Sequence, residues 1–522
     1  MLDYLKISKA TDLSGKDRRL YRALEILPGA LSWGTIIGLI LLSAFLPVGT
    51  AVFVILFDVY WLLLVLFLGT HLLISYRQMK KYSKIDWLKK CEELGNRTLI
   101  IDDNNKTINL NYKDLWQVVI LPTYNESLEV IRPSLDALVN SGYALEKMIV
   151  VLATEERSGE AGLIKGQKVK EEYANIFGRL LITVHPDNIE GELKGKGANQ
   201  AYAAKELKRL IIDAENIDYA KILVSVFDID TVVNKGYFHC LAFSFLTVDR
   251  PYRASYQPVP VYHNNIWQAP AFARVASFSN TFWQMMQQIK PEKLATYSSH
   301  SMTWLALNDI GFWSTNMVSE DSRIFWHCFC FYKGDYRVEP LYFPVSMDIC
   351  MDSNHWTTAG SLYKQQRRWG WGAENIPYLI FNTIKAWPTI KKKNRFINHI
   401  GVQIYGFHSW ATNALITSVI GWLPLFLGGQ RFNATVLSSN LPGVTKWLMT
   451  LAMVGMILSA TLSIIILPKK TKLGPIKYII SVFQWIFLPV IIVAFGAIPG
   501  LEAQTRLMFG KYMGFWVTPK HR

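Results

Sequence analysis

Four short stretches carry residue types that could do chemistry together. In "VSVFDIDTVV" (224–233) an apolar run ends in Asp228 and Asp230, one residue apart. If the strand continues, alternation points both carboxylates the same way. Hard oxygen ligands so placed suit Mg²⁺ or Mn²⁺, with substrate phosphates completing the shell. The plain alternative is a surface turn with two solvated aspartates. "GFWSTNMVSEDSRIFW" (311–326) sets Glu320 and Asp321 among aromatic residues. A carboxylate in apolar surroundings has a raised pKa and can act as a base. The same residues also read as an acidic first helical turn capped by Ser319, and both readings can hold. "GELKGKGANQAYA" (191–203) places glycines, Lys194, Lys196 and Asn199 before a helix. Backbone NH groups and lysines there could hold phosphate, although the spacing is neither a P-loop nor GxGxxG. The alternative is a flexible basic loop. In "QQRRW" (365–369), Arg368 can bind a diphosphate with two parallel hydrogen bonds, Trp369 offers a flat face to a ring, and Gln365 can bond hydroxyls. The same run also reads as an anchor at a bilayer surface.

The elements that must position these residues alternate. "LWQVVILPTYNE" (115–126), "KMIVVLATEE", "LLITVHP" and "AKILVSVFDID" read as buried strands, separated by helical patterns such as "SLEVIRPSLDALVNSG", "VKEEYANIFGRL" and "GANQAYAAKELKRLII". Strand–helix alternation predicts an α/β domain with a mostly parallel, Rossmann-like sheet. Ligands then gather at the carboxyl ends of the strands. Those ends carry Thr123–Tyr124–Asn125–Glu126, Thr154–Glu155–Glu156 and Asp228–Ile229–Asp230. "NRTLIIDDNNKTINLNY" (96–112) predicts a small β-hairpin ahead of the sheet.

Composition confines this domain to the middle of the chain. Of 522 residues 51% are hydrophobic and only 18% charged, yet residues 76–398 look like an ordinary soluble protein. The apolar runs lie at 31–48, 51–74, 402–427, 447–467 and 478–499, each near the roughly 20 residues a membrane helix needs. "PVG" reads as a tight turn between the first two, and Asp58, costly in lipid, should face protein. The net charge of +15 collects in "YRQMKKYSK", "IKKKNR" and "PKKTKLGPIK", beside apolar runs. That is the mark of membrane flanks rather than of nucleic-acid binding. The basic flanks place both ends of the first pair in the cytoplasm. Loop 429–446 then reads as external and "PKKTKLGPIK" as internal. Three further crossings would leave the basic tail outside; Pro489 makes the last run the exception, and a cytoplasmic tail is expected. The first 29 residues hold basic residues without an apolar core, so no cleavable secretory signal is expected. Five cysteines without a CxxC pair indicate neither a zinc ribbon nor a disulfide framework.

Taken in order, TYNE, KGKGAN, DID, SED, QQRRW and then apolar helices, the chain resembles the membrane-embedded family 2 glycosyltransferases of cellulose-synthase-like and hyaluronan-synthase-like type. The resemblance covers roughly residues 30–520, and the tail "FWVTPK" is similar to the family's C-terminal Phe-x-Val-Thr-x-Lys segment. It implies a cytoplasmic GT-A domain at the cell membrane. The divisions are then a basic segment 1–29, a transmembrane hairpin 30–75 and a linker 76–113. A GT-A domain 114–345, a lid with interfacial QxxRW helices 346–398, transmembrane helices 399–499 and a basic tail 500–522 follow. By resemblance Thr123, Tyr124 and Glu126 lie near the nucleotide base. Asp228 and Asp230 hold the metal and diphosphate, helped by Lys194, Lys196 and Asn199. Asp321, beside Glu320, is the general base, and Gln365, Arg368 and Trp369 bind diphosphate and acceptor sugar. Where the family has an Asp touching the base, this chain reads "LATEER" and Glu155 is the substitute. The implied donor is a nucleotide-diphosphate sugar, UDP-linked, and the implied acceptor a growing glycan passed through the membrane. A lipid-linked acceptor and a non-catalytic ligand-binding protein or transporter are the alternatives.

Overall fold

The computed structural model describes residues 4–467 and 475–520. Of the basic stretch "PKKTKLGPIK" (468–477), expected on the cytoplasmic side, residues 468–474 fall outside the described residues. The hairpin forms as β1 (Arg97–Ile100) and β2 (Thr107–Leu110). Eight further strands make one sheet: β3 (Trp116–Pro122), β4 (Met148–Glu155), β5 (Arg179–His185), β6 (Ile222–Val226), β7 (Val232–Val233), β8 (Ala254–Tyr262), β9 (His300–Thr303) and β10 (Arg337–Met347). Their order is β5-β4-β3-β6-β9-β8-β10-β7. Strands β5, β4, β3 and β6 run parallel, as predicted. Strand β9 enters antiparallel between β6 and β8, so the sheet is mixed. Every residue of β4 is buried, which is why its sequence reads as one apolar run rather than alternating. The carboxyl ends of β3, β4 and β6 therefore open at one edge of the sheet. Thr123 N–H donates to Ala153 O there at 2.9 Å, and Phe227 N–H to Ile120 O at 3.1 Å, carrying the pairing just past the strand ends.

The apolar runs form helices longer than the runs themselves. Helix α1 spans Gly15–Phe45 and α2 spans Pro47–Tyr82. The division expected at residue 29 falls inside this helix: "GKDRRLYRALEIL" has no breaker after Gly15, so the helix begins there and runs through Pro28. "PVG" is not a turn either. Leu46 alone links the helices and Pro47 opens α2, at the position where a missing N–H costs nothing. Asp58 faces protein as expected: it is 1% exposed and accepts from Thr445 Oγ1 at 2.9 Å.

Among the described residues four helices are long and apolar enough to cross a membrane: α1, α2, Val436–Ile465 and Ile479–Met508. The pair Lys393–Ser418 and Ile420–Leu427, bent by 43°, makes a fifth if counted as one span. The last run is interrupted, passing through a 3-10 turn at Gln484–Phe487 and a π turn at Val493–Ala497 around Pro489. Its end, Ile498–Met508, is stitched to α1. Ser32 Oγ donates to Gln504 Oε1 at 2.7 Å, and Arg22 Nη1 to Leu507 O at 2.9 Å. Beyond it the tail crosses to the edge of the sheet.

Candidate active site

The sheet edge gathers carboxylates and lysines from four parts of the chain. Asp228 and Asp230 lie past β6, in the turn that follows it, so strand alternation does not govern them. Each meets a different ammonium group. Lys196, on the first turn of helix Lys196–Leu207, lies 2.7 Å from Asp228 Oδ1 and donates to Asp321 Oδ1 and Oδ2 at 2.8 and 2.9 Å. Lys520, from the tail, lies 2.5 Å from Asp230 Oδ1. Asp348 N–H donates to Asp230 Oδ2 at 2.9 Å. Asn264 Nδ2 donates to both Asp230 O and Asp348 Oδ1 at 3.0 Å. Ser298 Oγ donates to Asp228 Oδ2.

These contacts set the charge states. Burial alone would raise Asp228, but Lys196 and then Lys520 overcome it and hold its carboxyl well below the usual range. Asp230 is 1% exposed, and burial, with Asp348 and Asp228 nearby, pushes it up to about 6. Glu320 is 2% exposed and Asp321 sits beside it on helix Glu320–Phe331. Burial first, and the Asp321 charge second, push Glu320 up to about 8. The sequence reading of a carboxylate with a raised pKa thus falls on Glu320. Asp321, facing Lys196, is the more accessible of the two, its side chain 21% exposed. Ser319 is the helix N-cap as expected, but its hydroxyl makes no capping bond. It is turned toward Glu374 instead.

The Glu320 shift has a thermodynamic consequence. From the ordinary value of 4.5 up to about 8, the folded chain holds a proton that the unfolded chain has released. Stability therefore falls as pH rises through that window. The unfolding midpoint in detergent should drop from pH 5 to pH 8, and Glu320→Gln should flatten that slope; equal slopes in both proteins would refute the assignment.

The remaining predicted residues divide. Gly197 lets the Lys196 helix approach: a Cβ there would lie 2.9 Å from Ser314 O and 3.1 Å from Glu320 Cβ. Asn199 is fully buried and donates to Ala153 O at 2.7 Å, so it ties this helix to β4 rather than facing a ligand. Lys194 stands apart, paired with Asp187 at 2.7 Å, and lines a cavity of about 270 Å³ with Glu155, Arg157 and His185. Glu126 Oε2 accepts from Thr123 Oγ1 and Tyr124 N–H, closing the TYNE turn on itself. Both oxygens of Glu155 are taken by Arg157, whose guanidinium lies 4.1 Å over the Tyr124 ring. The group beside Tyr124 is therefore cationic, which the sequence reading missed.

"QQRRW" lies on helix His355–Gly370, capped by the Asn354 side chain. "MDSNHWTTAGSLYKQ" (351–365), which reads from sequence as a mobile lid, is from His355 onward the start of this helix. Arg367 is anchored away from the carboxylates, at 2.7 Å from Glu502. Arg368 stacks on Phe515 of the tail at 5.0 Å and contributes to the field at Glu320. Trp369 is half-buried, its ring 6.4 Å from that of Tyr262, and Gln365 is half-buried on the same helix. Phe515 also covers Gly195, where a Cβ would lie 2.6 Å from its Cγ. Lys520, Ser298, Asp348 and Arg157 were not singled out as site residues from sequence, and only the "FWVTPK" similarity pointed toward the first; Asn264 lies in "YHNNIWQAP" (262–270), whose Trp, Tyr and Asn read from sequence as shaping the acceptor side.

Among the described residues no group of three or more His, Cys, Asp or Glu is arranged to hold a metal ion. Asp228 and Asp230 alone fit a more limited role. They are hard oxygen donors of the kind that takes a divalent ion completed by substrate oxygens, and such an ion would have to share or displace the lysine now set against one oxygen of each.

A mostly parallel sheet thus carries carboxylates and lysines at its carboxyl edge and is joined to helices long enough to cross a membrane. The chain belongs to glycosyl transferase family group 2, whose model matches residues 223–498, more than half its length. The transporter alternative is thereby set aside. The chain is similar to the poly-β-1,6-N-acetyl-D-glucosamine synthase of Staphylococcus epidermidis, 34% identical over 88 residues, 17% of this chain and 18% of that protein. Among solved structures it is similar to a mannosyltransferase from Pyrobaculum calidifontis in complex with GDP-Man and Mn²⁺. That match has 14% identity and a TM-score of 0.42, and covers 79% of this chain and 99% of that one. It is also similar to S. aureus TarS in complex with UDP-GlcNAc, with 14% identity and a TM-score of 0.31, covering 66% of this chain and 90% of that one.

Proposed function

We propose that the protein transfers a sugar, with inversion, from a nucleotide-diphosphate sugar to the hydroxyl of a growing polysaccharide, at the cytoplasmic face of the cell membrane. The observation that carries this reading is the single lysine, Lys196, held between Asp228 and Asp321. It joins the carboxylate of the DID turn to the carboxylate of the SED helix within reach of one substrate. Asp228 and Asp230 would hold a divalent cation, Mg²⁺ or Mn²⁺, which when bound would neutralise charge on the leaving diphosphate. Lys196 and Arg368 add fixed positive charge to the same oxygens, and charge already in place before the reaction is the strongest catalytic effect at most such sites. Asp321 takes the proton of the attacking hydroxyl as the new C–O bond forms and the bond to the diphosphate breaks. Trp369 and Tyr262 offer ring faces to the acceptor, which is positioning. Tyr124 and Arg157 form the surface for the nucleotide base, with Glu155 held behind them.

The tail supports the membrane arrangement. Lys520 meets Asp230, so the tail and the catalytic domain share a side, and the number of full crossings between them is even. The bent pair Lys393–Ser418 and Ile420–Leu427 is then the one that does not cross, which leaves Val436–Ile465 and Ile479–Met508 as the two crossings. The stretch shared with a poly-N-acetylglucosamine synthase favours a polysaccharide product over a lipid-linked acceptor. The test is nucleotide diphosphate release by purified protein across a panel of nucleotide-sugars with Mg²⁺ or Mn²⁺. Release with one donor is expected, and silence across the panel from folded protein overturns the reading.

A further inference from the structure

The helix bearing Arg368 and Trp369 passes without a break into a 3-10 turn, Trp371–Glu374. Glu374 is 6% exposed and spends its carboxylate on three donors. Oε1 accepts from the Ser319 backbone N–H at 3.1 Å and from Ser319 Oγ at 2.7 Å, and Oε2 accepts from Trp371 Nε1 at 2.9 Å. Ser319 is the N-cap of helix Glu320–Phe331, and Asp321 is the second residue of that helix. A second set of bonds runs parallel to the first. Asn375 Nδ2 donates to Ser322 Oγ at 2.9 Å, and Arg323 Nε to Asn375 Oδ1 at 2.7 Å. Arg323 is itself 1% exposed, lies 3.8 Å over the Tyr378 ring and donates to Ile7 O at 3.0 Å.

We propose that Glu374 is a positioning residue: its carboxylate fixes the N-cap of the Asp321 helix against the helix that carries Arg368 and Trp369. This rests on the reading of Asp321 as base. An isolated buried carboxylate is costly, and burial raises Glu374 above its ordinary value. The three donors offset that cost, and they come from two elements that a local serine cap could not join. Helix caps more commonly bond within their own first turn. Here the cap is supplied across the site, so the diphosphate side and the base side keep a fixed separation. Displacements near 1 Å in such a constellation cost about 10²-fold in rate.

The test uses the full-length protein in detergent. Glu374→Ala leaves three donors unpaired, whereas Glu374→Gln keeps one oxygen for Ser319. Glu374→Ala should lower kcat by about 10–100-fold with the donor KM within about twofold, and Glu374→Gln should recover most of the loss. Amide hydrogen exchange at Ser319 and Asp321 should quicken in the Ala variant and return toward the parent in the Gln variant. A merely structural role would reduce folded yield without splitting kcat from KM. Unchanged kcat, or unchanged exchange in the Ala variant, overturns the proposal. If the parent is silent with every donor but exchange responds as stated, the transferase reading fails while the clasp between the two helices stands.

Discussion

Asp321→Asn abolishes measurable sugar transfer, lowering kcat by on the order of 10²–10⁴, and leaves nucleotide-sugar affinity near that of the parent. The amide keeps the shape of the carboxylate and can still accept from Lys196 through its one oxygen. It cannot take a proton from a hydroxyl. Lys196 retains Asp228 as a counter-charge, so the lysine stays where the diphosphate needs it. Donor binding by calorimetry together with product formation separates the two effects. A variant that still transfers sugar within a few-fold of the parent removes Asp321 from the chemistry and points to its buried neighbour Glu320. That neighbour is the weaker candidate, because its side chain is enclosed and Oε1 has no partner among the described atoms.

Asp230→Asn weakens metal-dependent donor binding by on the order of 10–100-fold, with little change in the weaker binding seen with chelator. Asparagine can still accept from the Asp348 N–H that organises the turn, so the loop keeps its shape. What disappears is one negative charge opposite Lys520. Titration of Mn²⁺ at fixed nucleotide-sugar, read by calorimetry, distinguishes a ligand from a bystander. An unchanged Mn²⁺ dependence would assign the cation to Asp228 alone. Because Asp230 is pushed up to about 6, the parent should itself lose metal-dependent binding below that pH. The sign follows from the proton competing with the cation for the same oxygens.

How much of this was legible depended on range along the chain. The parallel strands were, because each is a short, fully buried apolar run between turn residues, and the DID, SED and QQRRW stretches stood out because each concentrates reactive types locally. Antiparallel β9 was not foreseen: "HSMT" is four residues with no period to read. The geometry of the carboxylates was not legible either. Strand alternation was expected to align Asp228 with Asp230, but both lie past Val226, and each pairs with a different lysine. Lys520 is 290 residues from Asp230, and Asn264 is 84 from Asp348. No local pattern encodes such pairs. The Arg157–Glu155 pair hid for a different reason: two opposite charges two residues apart look like an ordinary solvated surface. Glu374 hid in the run that framed the QQRRW motif, because a lone acid after "WGWGA" reads as a membrane-surface residue until Ser319 is seen against it.

The tail also bears on how the enzyme comes into being. Tyr512 bonds Glu25 of α1, Phe515 covers Gly195, and Lys520 reaches Asp230. All three follow the helix Ile498–Met508 in the order of synthesis. Chains fold from their N-terminal parts as they emerge, so the α/β domain can be assembled long before these residues exist. Its carboxylates then lack Lys520 until the last helix has been placed in the bilayer. Completion of the catalytic centre is in this way a late event of membrane insertion, and a nascent or misinserted chain presents a sheet edge that still awaits its closing residues.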